Sequence, residues 1–198
     1  MQRTAGTLAS AILAGIACIA VVCTTAQASI AWKPCPDSNN VACAKLAVPL
    51  DPADPTQGTI TLSLQRHLAP VGESKDAVIA LAGGPGQAAL PFVSQFGALL
   101  GPILSTRDLI VFDQRGTGLS HPLSCAAFEH VKGELSPTAV GICGGQIGST
   151  RGFYTTADTA ADIEAIRQAA GYEKLVLYGT SYGTKVALES AERYPQHV

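Results

Sequence analysis

One serine in this chain stands in a pattern that supports nucleophilic catalysis. Residues 179–183 read GTSYG, a match to G-x-S-x-G, in which the central serine occupies a sharp turn between a strand and a helix. The match alone is weak, because a chain with 20 glycines also produces it by chance, and an ordinary strand-to-helix turn is the alternative. Its surroundings favour catalysis, since an apolar run at residues 175–178 precedes Ser181 and a helical pattern at residues 184–194 follows it before Pro195. We therefore predict that Ser181 is a nucleophile.

The flanking glycines and a neighbouring backbone amide fit the same chemistry. Side chains at Gly179 and Gly183 are expected to collide where the strand and the helix pack together. Acyl transfer also needs N–H donors directed at the developing oxyanion, normally the amide after the nucleophile and an amide from a loop after an earlier strand. The amide of Tyr182 is the first predicted donor.

A glycine-rich loop, GGPG at residues 83–86, is predicted to supply the second donor. It follows a buried strand, and because Pro85 has no N–H group, Gly84 is the best candidate, ahead of Gly83 and Gly86. A phosphate cradle is the alternative for this loop. The loop lacks the GK[ST] ending of a P-loop and the full G-x-G-x-x-G spacing of a dinucleotide site, so we expect an oxyanion-binding loop.

The elements that must position these groups alternate between strands and helices. Three short apolar runs, at residues 76–82, 109–112 and 174–178, each end at a glycine-bearing loop, which is typical of strands buried on both faces. Residues 59–64 alternate with period two and predict a half-buried strand. Residues 156–171 are amphipathic, with Thr or Asp at the start and Gly at the end, and predict a helix. This strand-helix-strand order predicts an α/β fold, a mostly parallel sheet with helices on both faces.

Composition and charge restrict the class of protein. The 198 residues are 47% hydrophobic and 14% charged, with a formal net charge of -2. These values are typical of a globular protein, and the 13 basic residues are scattered, so we expect no nucleic-acid partner. We find no internal repeat and no low-complexity linker, and residues 29–198 have the size of one domain.

The N-terminus has the features of a secretory signal peptide at residues 1–28. A basic start is followed by an apolar run at residues 8–22, and small residues at Ala26 and Ala28 fit an A-x-A cleavage site. A retained membrane anchor is the alternative, but the run is shorter than the roughly 20 apolar residues of a spanning helix. We therefore expect a secreted or periplasmic protein without stable membrane insertion after cleavage.

The cysteine count is even after that cleavage, which removes Cys18 and Cys23. Two disulfides are expected in an oxidising compartment, and three pairings of the four remaining cysteines are possible. The pairs that close the shortest loops are our choice: Cys35 with Cys43, and Cys125 with Cys143. The irregular segment at residues 121–151 is interpreted as a disulfide-tied excursion outside the sheet. No cysteine pair has C-x-x-C spacing, so we expect no metal, and no cofactor is predicted.

Four short motifs together carry a family resemblance. They are GGPG at residues 83–86, DQRGTGLS at 113–120, YGTSYG at 178–183 and YPQHV at 194–198. In this order they resemble the α/β-hydrolase superfamily, and more narrowly the secreted tripeptidyl aminopeptidase and proline iminopeptidase group of serine exopeptidases. The resemblance implies the α/β-hydrolase fold and a peptide, or a small amide or ester, as substrate.

The resemblance also implies roles for individual residues. It makes Ser181 the nucleophile and the amides of Gly84 and Tyr182 the oxyanion donors. The motif beginning at Asp113 resembles the family's structural loop beside the active site, where Asp113 is expected to pair with Arg115 or with local backbone N–H groups. Ala82 stands where iminopeptidases often carry histidine, which favours the tripeptidyl aminopeptidase branch.

The acid and base of a catalytic triad are not evident in the sequence. In this fold they follow the serine along the chain, and His197 is the one histidine after Ser181. About thirteen helical residues at about 1.5 Å each would carry His197 roughly 20 Å from the turn, so it is not the base. Glu189 and Glu192 are interpreted as the solvated face of the same helix. We expect the N-terminal half of an aminopeptidase-like domain, truncated after the elbow helix, with little or no turnover.

Two other functions remain open at the level of sequence. An esterase or lipase would use the same serine and the same fold, and chromogenic amides and short-chain esters would separate it from a peptidase. A non-catalytic exported fragment is the second possibility, and it would leave Ser181 unreactive towards fluorophosphonates.

Overall fold

The computed structural model describes residues 29–36, 38–70, 72, 74–129 and 136–198. The predicted signal peptide, residues 1–28, lies outside the described residues, so it stays a prediction. No helix in the described ranges is both long enough and apolar enough to span a membrane.

The strands of the described chain form a single sheet in the order β1-β2-β3-β5-β4-β6. They are β1 (Lys33–Cys35), β2 (Ser38–Pro49), β3 (Thr59–His67), β4 (Asp76–Leu81), β5 (Asp108–Phe112) and β6 (Lys174–Gly179). β4 lies parallel to both β5 and β6. The other pairs, β1–β2, β2–β3 and β3–β5, are antiparallel. The predicted parallel strands are therefore confirmed, and an antiparallel N-terminal extension is added to them.

The helices flank this sheet and come mainly between the parallel strands. They are α1 (Val93–Leu100), α2 (Ala126–Glu129), α3 (Pro137–Ile147), α4 (Thr156–Ala170) and α5 (Tyr182–Arg193). Short 3-10 turns, among them Pro195–His197 after α5, connect several of these elements.

The alternation of side chains along β4 shows why helices cover both faces. Ala77, Ile79 and Leu81 point into one core cluster, which also holds Ile163 and Ile166 of α4 and Val186 of α5. Val78 and Ala80 point into a second cluster on the other face, with Phe96 of α1. These five of the six β4 side chains are fully buried, because a central parallel strand is covered on both sides. The predicted helices on both faces are confirmed.

The predicted excursion contains helices α2 and α3 and no strand among its described residues. A disulfide joins Cys125 to Cys143, and a second disulfide joins Cys35 to Cys43 beside the β1–β2 pairing. Both pairs are those that close the shortest loops. The Cys125–Cys143 disulfide ties the start of α2 to α3, and the Cys35–Cys43 disulfide links β1 to β2.

Helix α4 has well-defined ends. The Thr155 side chain accepts from the Asp158 amide and the Asp158 carboxylate accepts from the Thr155 amide, which is a capping box. Gly171 ends the helix in the left-handed region at φ 79°, and its amide donates to the carbonyls of Arg167 and Gln168. A Cβ at Gly171 would meet no atom within 4 Å, so the conformation alone favours glycine there.

Replacing Gly171 with alanine is therefore expected to lower the free energy of unfolding by about 1 kcal/mol, the cost of a left-handed L-residue. Gly141 offers a matched control, because it lies inside α3 and a Cβ there also meets no atom within 4 Å. Gly141→Ala should instead stabilise the protein by about 0.5–1 kcal/mol, as alanine favours helix interiors. Urea unfolding of both variants measures the two opposite signs, and equal effects would contradict the explanation.

Candidate active site

Ser181 lies on the turn between β6 and α5 and is exposed to solvent. Its backbone has φ 53° and ψ -119°, a strained conformation for a residue other than glycine. The Thr180 amide before it donates to the Leu81 carbonyl of β4 at 3.0 Å. The turn is thus attached to the central strand, and the serine side chain projects at the carboxyl ends of the parallel strands.

The two glycines of the motif are required by close packing. A Cβ at Gly179 would lie 2.5 Å from the backbone carbon and oxygen of Gly183. A Cβ at Gly183 would overlap the Leu81 carbonyl and lie 2.8 Å from the Ala82 oxygen. A side chain at either position would therefore collide with backbone, as expected. Because both residues are glycine, α5 can start directly over the end of β4.

The glycine-rich loop after β4 lies against Ser181. A Cβ at Gly83 would be 3.0 Å from the Ser181 Cβ and 3.5 Å from its Oγ. Gly84 has φ 107°, and a Cβ there would be 2.7 Å from the Gly86 nitrogen. Only glycine fits such a turn without strain, so the loop brings backbone close to the serine.

The amide of Tyr182 is the first N–H group of α5. The next two amides are occupied: Gly183 donates to the Thr180 carbonyl at 2.8 Å and Thr184 to the Ser181 carbonyl at 3.0 Å. Tyr182 N–H has no hydrogen-bond acceptor in the described part of the chain, as expected at the start of a helix. A free helical N–H adjacent to a nucleophile can stabilise an oxyanion.

Asp113 is buried at the end of β5 and accepts three backbone hydrogen bonds. Its Oδ1 accepts from the amides of Ala89 at 2.7 Å and Leu90 at 3.0 Å. Its Oδ2 accepts from the amide of Leu119 at 2.8 Å. Of the two expected partners of Asp113, backbone N–H groups are therefore the right ones, and Arg115 is not: Arg115 pairs with Asp162 of α4.

The Arg115–Asp162 pair is bidentate and almost fully buried. Arg115 Nε and Nη2 donate to the two Asp162 oxygens at 2.8 and 2.7 Å, and the side chains are 1% and 2% exposed. Arg115 also donates to the carbonyls of Leu50 and Phe153. Burial raises the pKa of Asp162 to about 6, and the bonds from Arg115 oppose this rise. Two N–H donors directed at the two carboxylate oxygens fit an ion pair. It joins the loop after β5 to α4 and to the antiparallel strands.

His197 lies away from Ser181 and binds a different partner. Its Nδ1 is 3.0 Å from Glu164 Oε2 on α4, and Glu164 also accepts from Arg167. Among the described residues, neither a histidine nor a carboxylate forms a hydrogen bond with Ser181 Oγ. The expectation that His197 is not the base is consistent with this contact.

The site therefore combines a serine on a strained turn, glycine backbone against it and a free helical amide, all at the carboxyl ends of parallel strands. That arrangement has the strand-turn-helix geometry of the nucleophile elbow in α/β-hydrolases. A sequence model of the alpha/beta hydrolase fold matches residues 76–198, so this chain belongs to the α/β-hydrolase family.

Known relatives are named as peptidases. The chain is 30% identical over 227 residues to the serine protease Hip1 of Mycobacterium tuberculosis, covering 96% of this chain and 43% of that protein. It is also 30% identical to the tripeptidyl aminopeptidase of Streptomyces lividans, over 87% of this chain and 37% of that protein. The chain thus spans less than half the length of the curated relatives it matches.

A solved structure agrees on the fold. The proline iminopeptidase of Mycobacterium smegmatis superposes with a TM-score of 0.50 at 23% identity, covering 77% of this chain and 40% of that chain. The structural likeness shows the fold alone. The parallel strands and the Ser181 turn lie within residues 76–198, which the family model matches.

Proposed function

We propose that Ser181 is the nucleophile of a serine aminopeptidase that removes N-terminal residues or tripeptides from peptides through an acyl-enzyme. The observation that carries the proposal is the contact between Ser181 and the glycine-rich loop, with a Gly83 Cβ position only 3.0 Å from the Ser181 Cβ. This contact supports the proposal, because it brings the Ser181 side chain close to the backbone of the loop that is predicted to supply an oxyanion donor. The names of the two relatives favour a peptide over an ester substrate.

In the proposed reaction, Ser181 Oγ attacks the scissile carbonyl while its proton passes to a general base. The amides of Gly84 and Tyr182 stabilise the oxyanion of the tetrahedral intermediate. Its collapse breaks the C–N bond, the protonated base donates to the leaving amine, and an ester to Ser181 remains. Water then hydrolyses this ester by the same steps in reverse order.

The base and its carboxylate partner are proposed to come from protein that packs beside β6. This strand is at the end of the described sheet, yet Leu175, Val176 and Leu177 make both of its faces apolar, which is typical of a strand inside a parallel sheet rather than at its edge. A cleft of about 580 Å³ lies between β6 and α5, lined by Leu175, Leu177 and Leu188, and Leu188 is 73% exposed. Protein packed there would stand next to the Ser181 turn.

The location is proposed to be secreted or periplasmic. Two disulfides, Cys35–Cys43 and Cys125–Cys143, support it, because disulfides persist mainly in oxidising compartments.

The decisive test compares the cleavage rates of different substrates. The protein used is the polypeptide that the complete reading frame encodes. We expect a chromogenic tripeptidyl amide with a free N-terminus to be cleaved at least about a hundredfold faster, in kcat/KM, than its N-acetylated form, because an aminopeptidase site recognises the free amine. A fluorophosphonate should label Ser181, as located by peptide mass spectrometry.

Three outcomes would contradict this function in different ways. Equal cleavage of the free and acetylated amides would indicate an endopeptidase. Preference for a short-chain ester over both amides would indicate an esterase or lipase. Absence of labelling at Ser181 in the complete polypeptide would indicate a non-catalytic protein.

A further inference from the structure

The loop that follows β5 holds both ends of the glycine-rich loop beside Ser181. Gln114 is buried, and its Nε2 donates to the Ala82 carbonyl at 3.0 Å, immediately before Gly83. Its neighbour Asp113 accepts from the amide of Ala89 at 2.7 Å. Two consecutive side chains therefore bond to the residues on either side of segment 83–88, which begins with the glycine-rich loop.

The Ala82 carbonyl, which accepts the hydrogen bond from Gln114, is also in contact with the Ser181 turn. A Cβ at Gly183 would lie 2.8 Å from the Ala82 oxygen, and the Thr180 amide donates to the preceding carbonyl, that of Leu81. The end of β4 is thus in contact with Gln114 on one side and with the Ser181 turn on the other. A shift of the Ala82 carbonyl would change the distance between the glycine-rich loop and Ser181.

We infer that Gln114 is a positioning residue that fixes the direction of the oxyanion-binding amides relative to Ser181. The peptide unit between Ala82 and Gly83 is planar, so a hydrogen bond to its carbonyl also sets the direction of the Gly83 N–H, one of the candidate donors, and fixes the position from which the chain continues to Gly84. Glycines on their own are conformationally permissive, and an external contact is needed to select one conformation. This inference rests on the proposed function of Ser181, which gives the amide directions their catalytic meaning.

The test replaces Gln114 with leucine, which has a similar volume and no donor. We expect hydrogen exchange of the Gln87 amide, which donates to the Gly83 carbonyl, and of the Thr180 amide to accelerate about tenfold. The Ala89 amide, held by Asp113, and the Ile79 amide in the centre of β4 should exchange at the parent rate. Ser181 should react with a fluorophosphonate about ten- to a hundredfold more slowly.

The control is Gln57→Leu, which removes an exposed glutamine that bonds to Asp54 on a surface turn. It should change neither the exchange rates nor the labelling rate. If Gln114→Leu does not fold, Gln114→Met, which is longer and more flexible, takes its place.

Each result decides for or against the inference. Unchanged exchange at Gln87 and Thr180 would overturn it, and so would equal acceleration at Ile79, which would indicate general destabilisation. Accelerated exchange at these two amides with an unchanged labelling rate would show a loop anchor without a role at Ser181, and would also overturn it. If the parent protein itself is not labelled, the proposed function fails, and the exchange data still decide whether Gln114 orders the loop.

Discussion

Replacing Ser181 with alanine is expected to abolish fluorophosphonate labelling and to lower kcat for a tripeptidyl amide by about 10⁶-fold. Alanine has no oxygen to attack the carbonyl, so the acyl-enzyme cannot form. The amides of Gly84 and Tyr182, the proposed oxyanion donors, are unchanged by the substitution, and a small residual rate above that in water is expected from them. KM should change little, because the hydroxyl acts mainly in the transition state. Steady-state kinetics and intact-mass spectrometry of the complete polypeptide measure these effects.

Ser190 provides a matched control for this substitution. It lies on the same helix, α5, and is buried, and its Oγ donates to the Val186 carbonyl at 2.9 Å. Ser190→Ala should keep full labelling at Ser181, because it changes only a bond within the helix. If Ser181→Ala retained more than about a hundredth of the parent activity, another group would be the nucleophile.

The positions of the parallel strands and of the elbow could be predicted because their signals are local. A short, fully apolar run such as residues 109–112 is typical of a buried strand. Glycine at 179 and 183 indicates that two backbone segments approach closely there. Strand β6 extends one residue beyond its predicted range, to Gly179. Helix α5 begins at Tyr182, immediately after Ser181 and two residues before the predicted start.

Of the antiparallel strands, β3 follows the strand predicted at residues 59–64, whereas β1 and β2 were harder to predict because their stability comes from distant partners. β2, Ser38–Pro49, begins with polar residues and ends in proline, so its sequence does not have a clear strand period. Its register places Leu46 opposite Leu62 and Val48 opposite Ile60, all buried. Those contacts, rather than local preference, form the strand.

The same reason explains why one of the two partners expected for Asp113, Arg115, bonds to Asp162 instead. The sequence places Asp113 two residues away, whereas Asp162, the actual partner, is 47 residues distant. One signal was present: Asp162 precedes Ile163 on a helix whose buried face also contains Ile166, so a carboxylate stood next to the core. A buried acidic residue needs a charged partner, and Arg115 was available. The fold had to be known before the two could be matched.

Replacing Arg115 with methionine is expected to lower the free energy of unfolding by about 3–5 kcal/mol. The substitution leaves the Asp162 carboxylate buried without its partner, and it also removes donors from the Leu50 and Phe153 carbonyls. Arg115→Lys should recover part of the loss, because lysine keeps the charge but cannot donate to both carboxylate oxygens in a planar fork. Urea unfolding followed by circular dichroism measures these differences.

An exposed ion pair between an arginine and a carboxylate, joined by one hydrogen bond, provides a comparison that separates burial from charge as the cause. Arg193 donates to Glu189 at 2.5 Å on α5, and its side chain is 49% exposed. Arg193→Met should cost less than about 0.5 kcal/mol, because water solvates the carboxylate that remains. If the two methionine variants lost similar stability, the desolvated carboxylate of Asp162 would not be the cause. A large loss for Arg115→Met alone would show that this pair stabilises the packing of the loop after β5, and with it Asp113 and Gln114, against α4.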